Sequence, residues 1–157
     1  MVVLGIDPGL AMIGYGVVKY KNQGWKVIEH GSIRMGGGSL PRRLKRIYDE
    51  VCRLIERHRP DELAVEQVFY AENAKTALKV AHARGVILLA GVLKDVPIAE
   101  YSPREVKQAV TGSGAASKRQ VQRMVQDLLG LQEAPSPFHA ADALAVALCH
   151  CNRFKIQ

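Results

Sequence analysis

The sequence predicts an α/β domain in which a mixed five-stranded sheet is flanked by helices. Two observations carry this: short β-branched runs closed by glycine or proline turns, and longer stretches whose apolar residues recur every three or four positions. The order is three strands, helix, strand, helix, strand, then helices, which puts helices on the faces of a sheet. With 157 residues, 48% of them hydrophobic, the chain suits one compact core, and the absence of a linker, repeat or low-complexity segment predicts a single domain over 1–157.

Val2 to Ile6 is a continuous aliphatic run ended by Pro8-Gly9, the mark of a buried strand closed by a turn. Met12 to Tyr20, interrupted by Gly14 and Gly16, and Trp25 to Met35 give two more strands around the turn Lys21-Asn22-Gln23-Gly24. After Gly36-Gly37-Gly38, Ser39 is placed to cap a helix whose apolar face runs through Leu40, Leu44, Ile47, Val51, Leu54 and Ile55 and stops before Pro60. Leu63-Ala64-Val65 is a short strand leading to Glu66. Ala71 to Leu93 reads as a long helix whose second half is apolar all round, to be buried in its own domain or against another subunit. Pro97 to Tyr101 is the fifth strand and Pro103 to Val110 a short helix. Gly112-Ser113-Gly114 is expected as a mobile loop, followed by a helix from the Ser117 cap to Leu129 and a last one from about Pro137 to Cys151.

Composition excludes several classes. Cys52, Cys149 and Cys151 are an odd number without a CxxC pair, which excludes a disulfide framework and suits free thiols in a reducing cytoplasm. Cys149-His150-Cys151 alternates along a helix, where such side chains diverge, so a metal tip is disfavoured. The N-terminus has no basic region before its apolar stretch. The longest apolar run, Gly85 to Leu93, is far below the roughly 20 residues a membrane span needs. A soluble protein with no membrane partner is expected. Lys+Arg 22 against Asp+Glu 15 gives a formal charge of +7, which favours a polyanionic partner, nucleic acid first.

The carboxylates carry the chemistry. Asp7 and Glu66 end apolar strands, where an acid is costly without a partner. His139 and Asp142 lie three apart and share one helix face at the start of an apolar helix. Taken singly each could cap a turn or a helix start. Three acids and a histidine together suit a divalent cation, and in a basic protein that points to metal-assisted phosphodiester hydrolysis.

Four collinear segments, GIDPGLAMIGYGVV, VEQVFYAENAKTALKVAHARG, EYSPREVKQAVTGSGAASKRQVQRMV and HAADALAVALCH, resemble the RuvC family of bacterial Holliday-junction resolvases over nearly the whole chain. The resemblance implies a ribonuclease H-like fold. It also implies a crossover junction endodeoxyribonuclease in which Asp7, Glu66, His139 and Asp142 bind two Mg²⁺ ions, with Mn²⁺ as a substitute. One ion would activate water and the other stabilise the leaving 3′ oxygen. Some relatives carry aspartate where this chain has His139. The resemblance further assigns Lys107 and Lys118 to DNA phosphates, Phe69 to stacking on a base, and RuvA and RuvB as partners.

Arg34 to Arg59 holds eight basic residues against three acids, and Tyr101 to Arg123 five against one. Lys118, in the first turn of its helix, can share a phosphate with the helix amides. One set of ligands per chain and two opposed strands to nick imply a C2 homodimer, with the helix from Lys75 to Leu93 in its interface. Two other readings stand beside this one: DPGLAMIGYG as the first phosphate loop of an actin-like kinase or ATPase, and a non-catalytic junction-binding module.

Overall fold

The computed structural model describes residues 1–9, 11–68 and 73–156, the last two without their side chains. Strands β1 (Val2–Asp7), β2 (Met12–Lys21), β3 (Gly24–Arg34), β4 (Glu62–Glu66) and β5 (Ile98–Tyr101) alternate with helices α1 (Leu40–His58), α2 (Ala74–Leu93), α3 (Pro103–Thr111), α4 (Lys118–Leu129) and α5 (Phe138–Cys151), and a 3-10 helix covers Asn152–Ile156. The sheet order is β3-β2-β1-β4-β5. β1, β2 and β3 form an antiparallel meander, while β4 and β5 add in parallel on the other side of β1. The mixed five-stranded sheet expected from the element order is therefore present. At the hairpin between β2 and β3, Asn22 and Gln23 both take positive φ, 52° and 63°, the conformation whose twist suits a two-residue turn.

Strand alternation sorts the core into two layers. Leu4, Ile6, Ile13, Val17, Leu63 and Val65 face α1 and α2. Val3, Val18 and Ala64 face α3, α4 and α5. α5 is buried along nearly its whole length, so the sheet must let it come close. Gly5, Gly14 and Gly16 supply the room: a Cβ at Gly5 would collide with the Ala143 carbonyl, at Gly14 with the His139 carbonyl, and at Gly16 with the Leu144 side chain. Gly5 pairs with Gly16 and Gly14 with Asp7, so the three glycines form one shallow channel for an alanine-rich helix.

Two expectations need correction. Ser39 occupies the N-cap of α1 but makes no side-chain cap bond, and Pro41 at the second helical position has no N–H to offer it. The 112–114 loop is pinned, not mobile: the Gly114 amide donates to Gln108 Oε1 and Thr111 Oγ1 donates to the Ser113 carbonyl. Of the two burials open to α2, in its own domain or against another subunit, the chain itself supplies the first on one side only. It buries Val80, Ala83, Ile87 and Ala90 but leaves Leu78, Leu89, Val92 and Leu93 between 52% and 63% exposed. By length and composition α2 is also apolar enough to cross a membrane, although the Gly85–Leu93 run alone is too short.

Cys52, Cys149 and Cys151 are buried, and none of them forms a disulfide among the described residues. His150 turns inward instead of joining its flanking thiols: its Nδ1 lies 2.7 Å from the Tyr101 hydroxyl and its Nε2 3.0 Å from the Glu62 carboxylate.

Candidate metal centre and nucleic-acid interface

The parity that buries Leu4, Ile6, Leu63 and Val65 against α1 and α2 turns the intervening residues to the α5 face. Asp7 and Glu66 both belong to that second set. β1 and β4 are parallel with Ile6 paired to Val65, so the next residues, Asp7 and Glu66, leave neighbouring strands side by side. From above, the first turn of α5 delivers His139 and Asp142 one helical turn apart. Gly9 lets the histidine approach: a Cβ there would stand 3.2 Å from His139 Cε1.

One ligand atom each from Asp7, His139 and Asp142 lie within 4.8 Å of one another, and His139 Nδ1 is 3.5 Å from Asp7 Oδ2. Glu66 stands outside that tight trio but lines the same cleft, of about 680 Å³, together with Lys107 and Lys118. The structure thus brings six of the seven sequence-identified residues to one cleft. Phe69 lies outside the described residues. Gln67 and Thr76 also line the cleft. Sequence reasoning passed over both, since a polar residue beside a strand end or in a first helical turn carries no signal of its own.

Electrostatics mark the cleft as a place where negative charge is crowded. Burial and then the neighbouring Asp7 carboxylate push the Glu66 carboxyl up to about 9, with Asp142 adding to the repulsion. Burial and Asp7 likewise push Asp142 up to about 6. The Asp7 carboxylate, as acceptor and as charge, holds the His139 imidazole above its ordinary value. Lys107 opposes the shift of Glu66, and Lys118 and Lys107 that of Asp142, which places both ammonium groups within electrostatic reach of the carboxylates. Hard oxygen donors plus one imidazole, desolvated and mutually repelling, fit a divalent cation, whose charge removes the repulsion.

Caps fix the lysines. Ser117 and Gln120 form a reciprocal capping box that starts α4 at Lys118. Ser102 and Glu105 do the same for α3, which carries Lys107. Two rigid helix starts therefore present cations to the rim of an acidic pocket, an arrangement suited to a phosphate bridging the two.

Comparison with known proteins agrees with this geometry. The family model for crossover junction endodeoxyribonuclease RuvC matches residues 3–150. The crossover junction endodeoxyribonuclease RuvC of Moorella thermoacetica is 54% identical over 97% of this chain and 92% of its own length. That of Alkaliphilus metalliredigens is 49% identical over 100% of this chain and 96% of its own. The structure of Thermus thermophilus RuvC in complex with Holliday junction substrate superposes with a TM-score of 0.93 at 39% identity, covering 99% of this chain and 96% of that one. The sheet order, the helices on both faces and these full-length matches make the fold ribonuclease H-like and the chain a member of the RuvC family of crossover junction endodeoxyribonucleases.

Proposed function

We propose that residues 1–157 act as one domain that resolves four-way (Holliday) DNA junctions. It would nick opposed strands symmetrically during homologous recombination and repair, leaving 5′-phosphate and 3′-hydroxyl ends. The observation that carries this is the meeting of Asp7, His139 and Asp142 within 4.8 Å in a cleft that Glu66, Lys107 and Lys118 also line. The Thermus thermophilus relative bound to a Holliday junction substrate supports the substrate class.

Asp7, Glu66, His139 and Asp142 hold two Mg²⁺ ions, with Mn²⁺ as a substitute. When bound, such ions lower the pKa of an attacking water and compensate charge on the leaving oxygen. Asp7 and Glu66, fixed on parallel strands, set the floor of the site, and His139 and Asp142 close it from α5. Lys107 and Lys118 hold the DNA backbone by its phosphates, and Phe69 stacks on a base near the junction centre, worth about 1–3 kcal/mol.

Cutting two strands with one site per chain requires a C2 homodimer. The exposed apolar side chains of α2 support an interface there, and Leu44 with Leu78, Ala81, Gly85 and Leu89 line a shared groove between α1 and α2. RuvA and RuvB would deliver the junction. Three buried cysteines without a disulfide among the described residues suit a cytoplasmic location. The test is incubation with a synthetic mobile four-way junction in Mg²⁺ and, separately, in Ca²⁺. Symmetric paired cleavage in Mg²⁺ is expected, and binding in both without cleavage in either would leave only a junction-binding module.

A further inference from the structure

The junction between β3 and α1 carries positive charge that the metal centre does not use. Arg34 ends β3, residues 36–38 turn the chain, and Arg42 and Arg43 fall in the first turn of α1. One turn further on, Arg46 donates to the Met35 carbonyl at 2.7 Å and lies over Gly36, where a Cβ would collide with its guanidinium. None of these four arginines has a carboxylate partner among the described residues. Lys45, Arg53 and Arg57 on the same helix do, pairing with Asp49, Glu50 and Glu29. The first turn of α1 also lacks an acid, so Arg42 and Arg43 stand at the positive end of the helix dipole, where a cation is least favourable. Charge that is uncompensated within the chain calls for an anion from outside it.

The sheet identifies the anion. β3 is antiparallel to β2, and β2 to β1, so β3 ends at the same edge as Asp7. Ile33 is buried against the α1 layer, which turns Arg34 to the opposite face, the one that carries Asp7. Asp7 pairs with Gly14 and Arg34 with Met12, a displacement of about 10–12 Å from two strand spacings and two residue rises. That is within the span of a few nucleotides of one DNA strand.

We propose that Arg34, Arg42, Arg43 and Arg46 form a second phosphate-binding strip, distinct from Lys107 and Lys118, that starts at Arg34 on the face of the metal centre, passes over the end of the sheet to the first turns of α1, and grips the backbone of a duplex arm a few nucleotides from the scissile phosphate. This rests on the nuclease reading above. Because the strip reads phosphate and not base edges, it adds affinity without adding sequence preference.

The experiment measures binding of a synthetic four-way junction in Ca²⁺ across about 50 to 200 mM salt. It compares the wild type, Arg34→Ala/Arg42→Ala, Arg34→Lys/Arg42→Lys, and Arg53→Ala as a paired-charge control. The double alanine variant is expected to lower the slope of log K against log salt by about two and to weaken binding about tenfold. Its melting temperature should not fall, since neither side chain has a partner to lose, and its cleavage sites in Mg²⁺ should be those of the wild type. The double lysine variant keeps the wild-type slope. An unchanged slope in the double alanine variant overturns the strip. So does an equal loss in Arg53→Ala, or a loss accompanied by a lowered melting temperature. If the wild type itself neither binds nor cuts junctions, the nuclease reading fails; if it does both and the double alanine variant matches it, only the strip fails.

Discussion

Gly14 and His139 touch through backbone: the position a Gly14 Cβ would take is already filled by the His139 carbonyl. Since Gly14 also pairs with Asp7 on β1, one residue without a side chain sets the height at which α5 lowers its two ligands over the strand carboxylate. Gly14→Ala should therefore lift the start of α5 away from Asp7. We expect a stability loss of roughly 1–3 kcal/mol, the usual cost of overpacking a core, and a fall in junction cleavage that exceeds it. Melting temperature and single-turnover cleavage measured on the same preparation check this; a stability loss with full activity would show that α5 is positioned from its other end.

Asp7→Asn keeps the shape of the strand end but removes the charge that its neighbours respond to. Cleavage should fall at least about 100-fold, since even outer partners of a metal ligand cost 10- to 100-fold, while junction binding in Ca²⁺ persists. Glu66→Gln should do the same to cleavage and in addition raise stability without metal, by roughly 1–3 kcal/mol, because burial and Asp7 push its carboxyl up to about 9. Thermal melts in EDTA and in Mg²⁺ separate the effects: the wild type should gain stability on adding Mg²⁺, and both variants should gain less.

Much of this centre was legible in the chain. An apolar run that ends in an acid, at Asp7 and again at Glu66, is visible without coordinates, and so is the three-residue spacing of His139 and Asp142. The glycine channel was not legible, because Gly5 and Gly16 become neighbours only through the register of two strands. Nor does composition say which side of an apolar helix lacks a partner. α2 had to be placed on the sheet before Leu89, Val92 and Leu93 could be seen facing outward. The same holds for Glu66, which parity puts beside Asp7 yet which stands outside the tight ligand trio.

Lys107→Ala and Lys118→Ala should each reduce the slope of log K against log salt by about one and lower the cleavage rate, as expected for one phosphate contact apiece. Both ammonium groups also oppose the upward shift of Asp142, so removing either leaves the acidic cleft more strongly repelling. The measurement is a salt titration of junction binding in Ca²⁺, and an unchanged slope would take the lysines off the DNA.

His150 gives a pH dependence separate from the metal ligands. Burial holds its imidazole below the ordinary value, against the opposing charge of Glu62. The unfolded chain takes up this proton near pH 6.5 while the folded chain resists it, so the contribution is whole above that pH and is lost as pH falls toward the folded value, by up to about 1.4 kcal/mol per unit. His139, Asp142 and Glu66 shift in the other direction, so the wild type alone would mix the effects. His150→Asn removes this titration alone, since asparagine can still meet the Tyr101 hydroxyl, which lies 2.7 Å from Nδ1. Stability of the wild type relative to this variant should drop between about pH 7 and 5, read by urea unfolding at each pH. Parallel curves would show that His150 carries no titration of this kind.

Leu89, Val92 and Leu93 leave more than half of each side chain in solvent at the apolar end of α2, a helix that ends with no charge in its last turn. Burying them against a second copy would remove apolar area at about 25 cal/mol per Å², and an acid there opposes such burial without touching the cleft. Leu89→Asp/Val92→Asp should sediment as a folded monomer, because both side chains are already exposed within the chain, and its melting temperature should no longer rise with protein concentration as a dimer's does. With the metal site intact, its failure should be specific: single nicks at the wild-type positions on a four-way junction, with paired cleavage in opposed strands lost. The readout is the ratio of linear duplex product to singly nicked junction on a cruciform plasmid, followed against protein concentration. A monomer that still delivers paired cuts would separate the apolar face of α2 from the coupling of the two incisions, and a variant that stays dimeric would place the interface elsewhere on the chain.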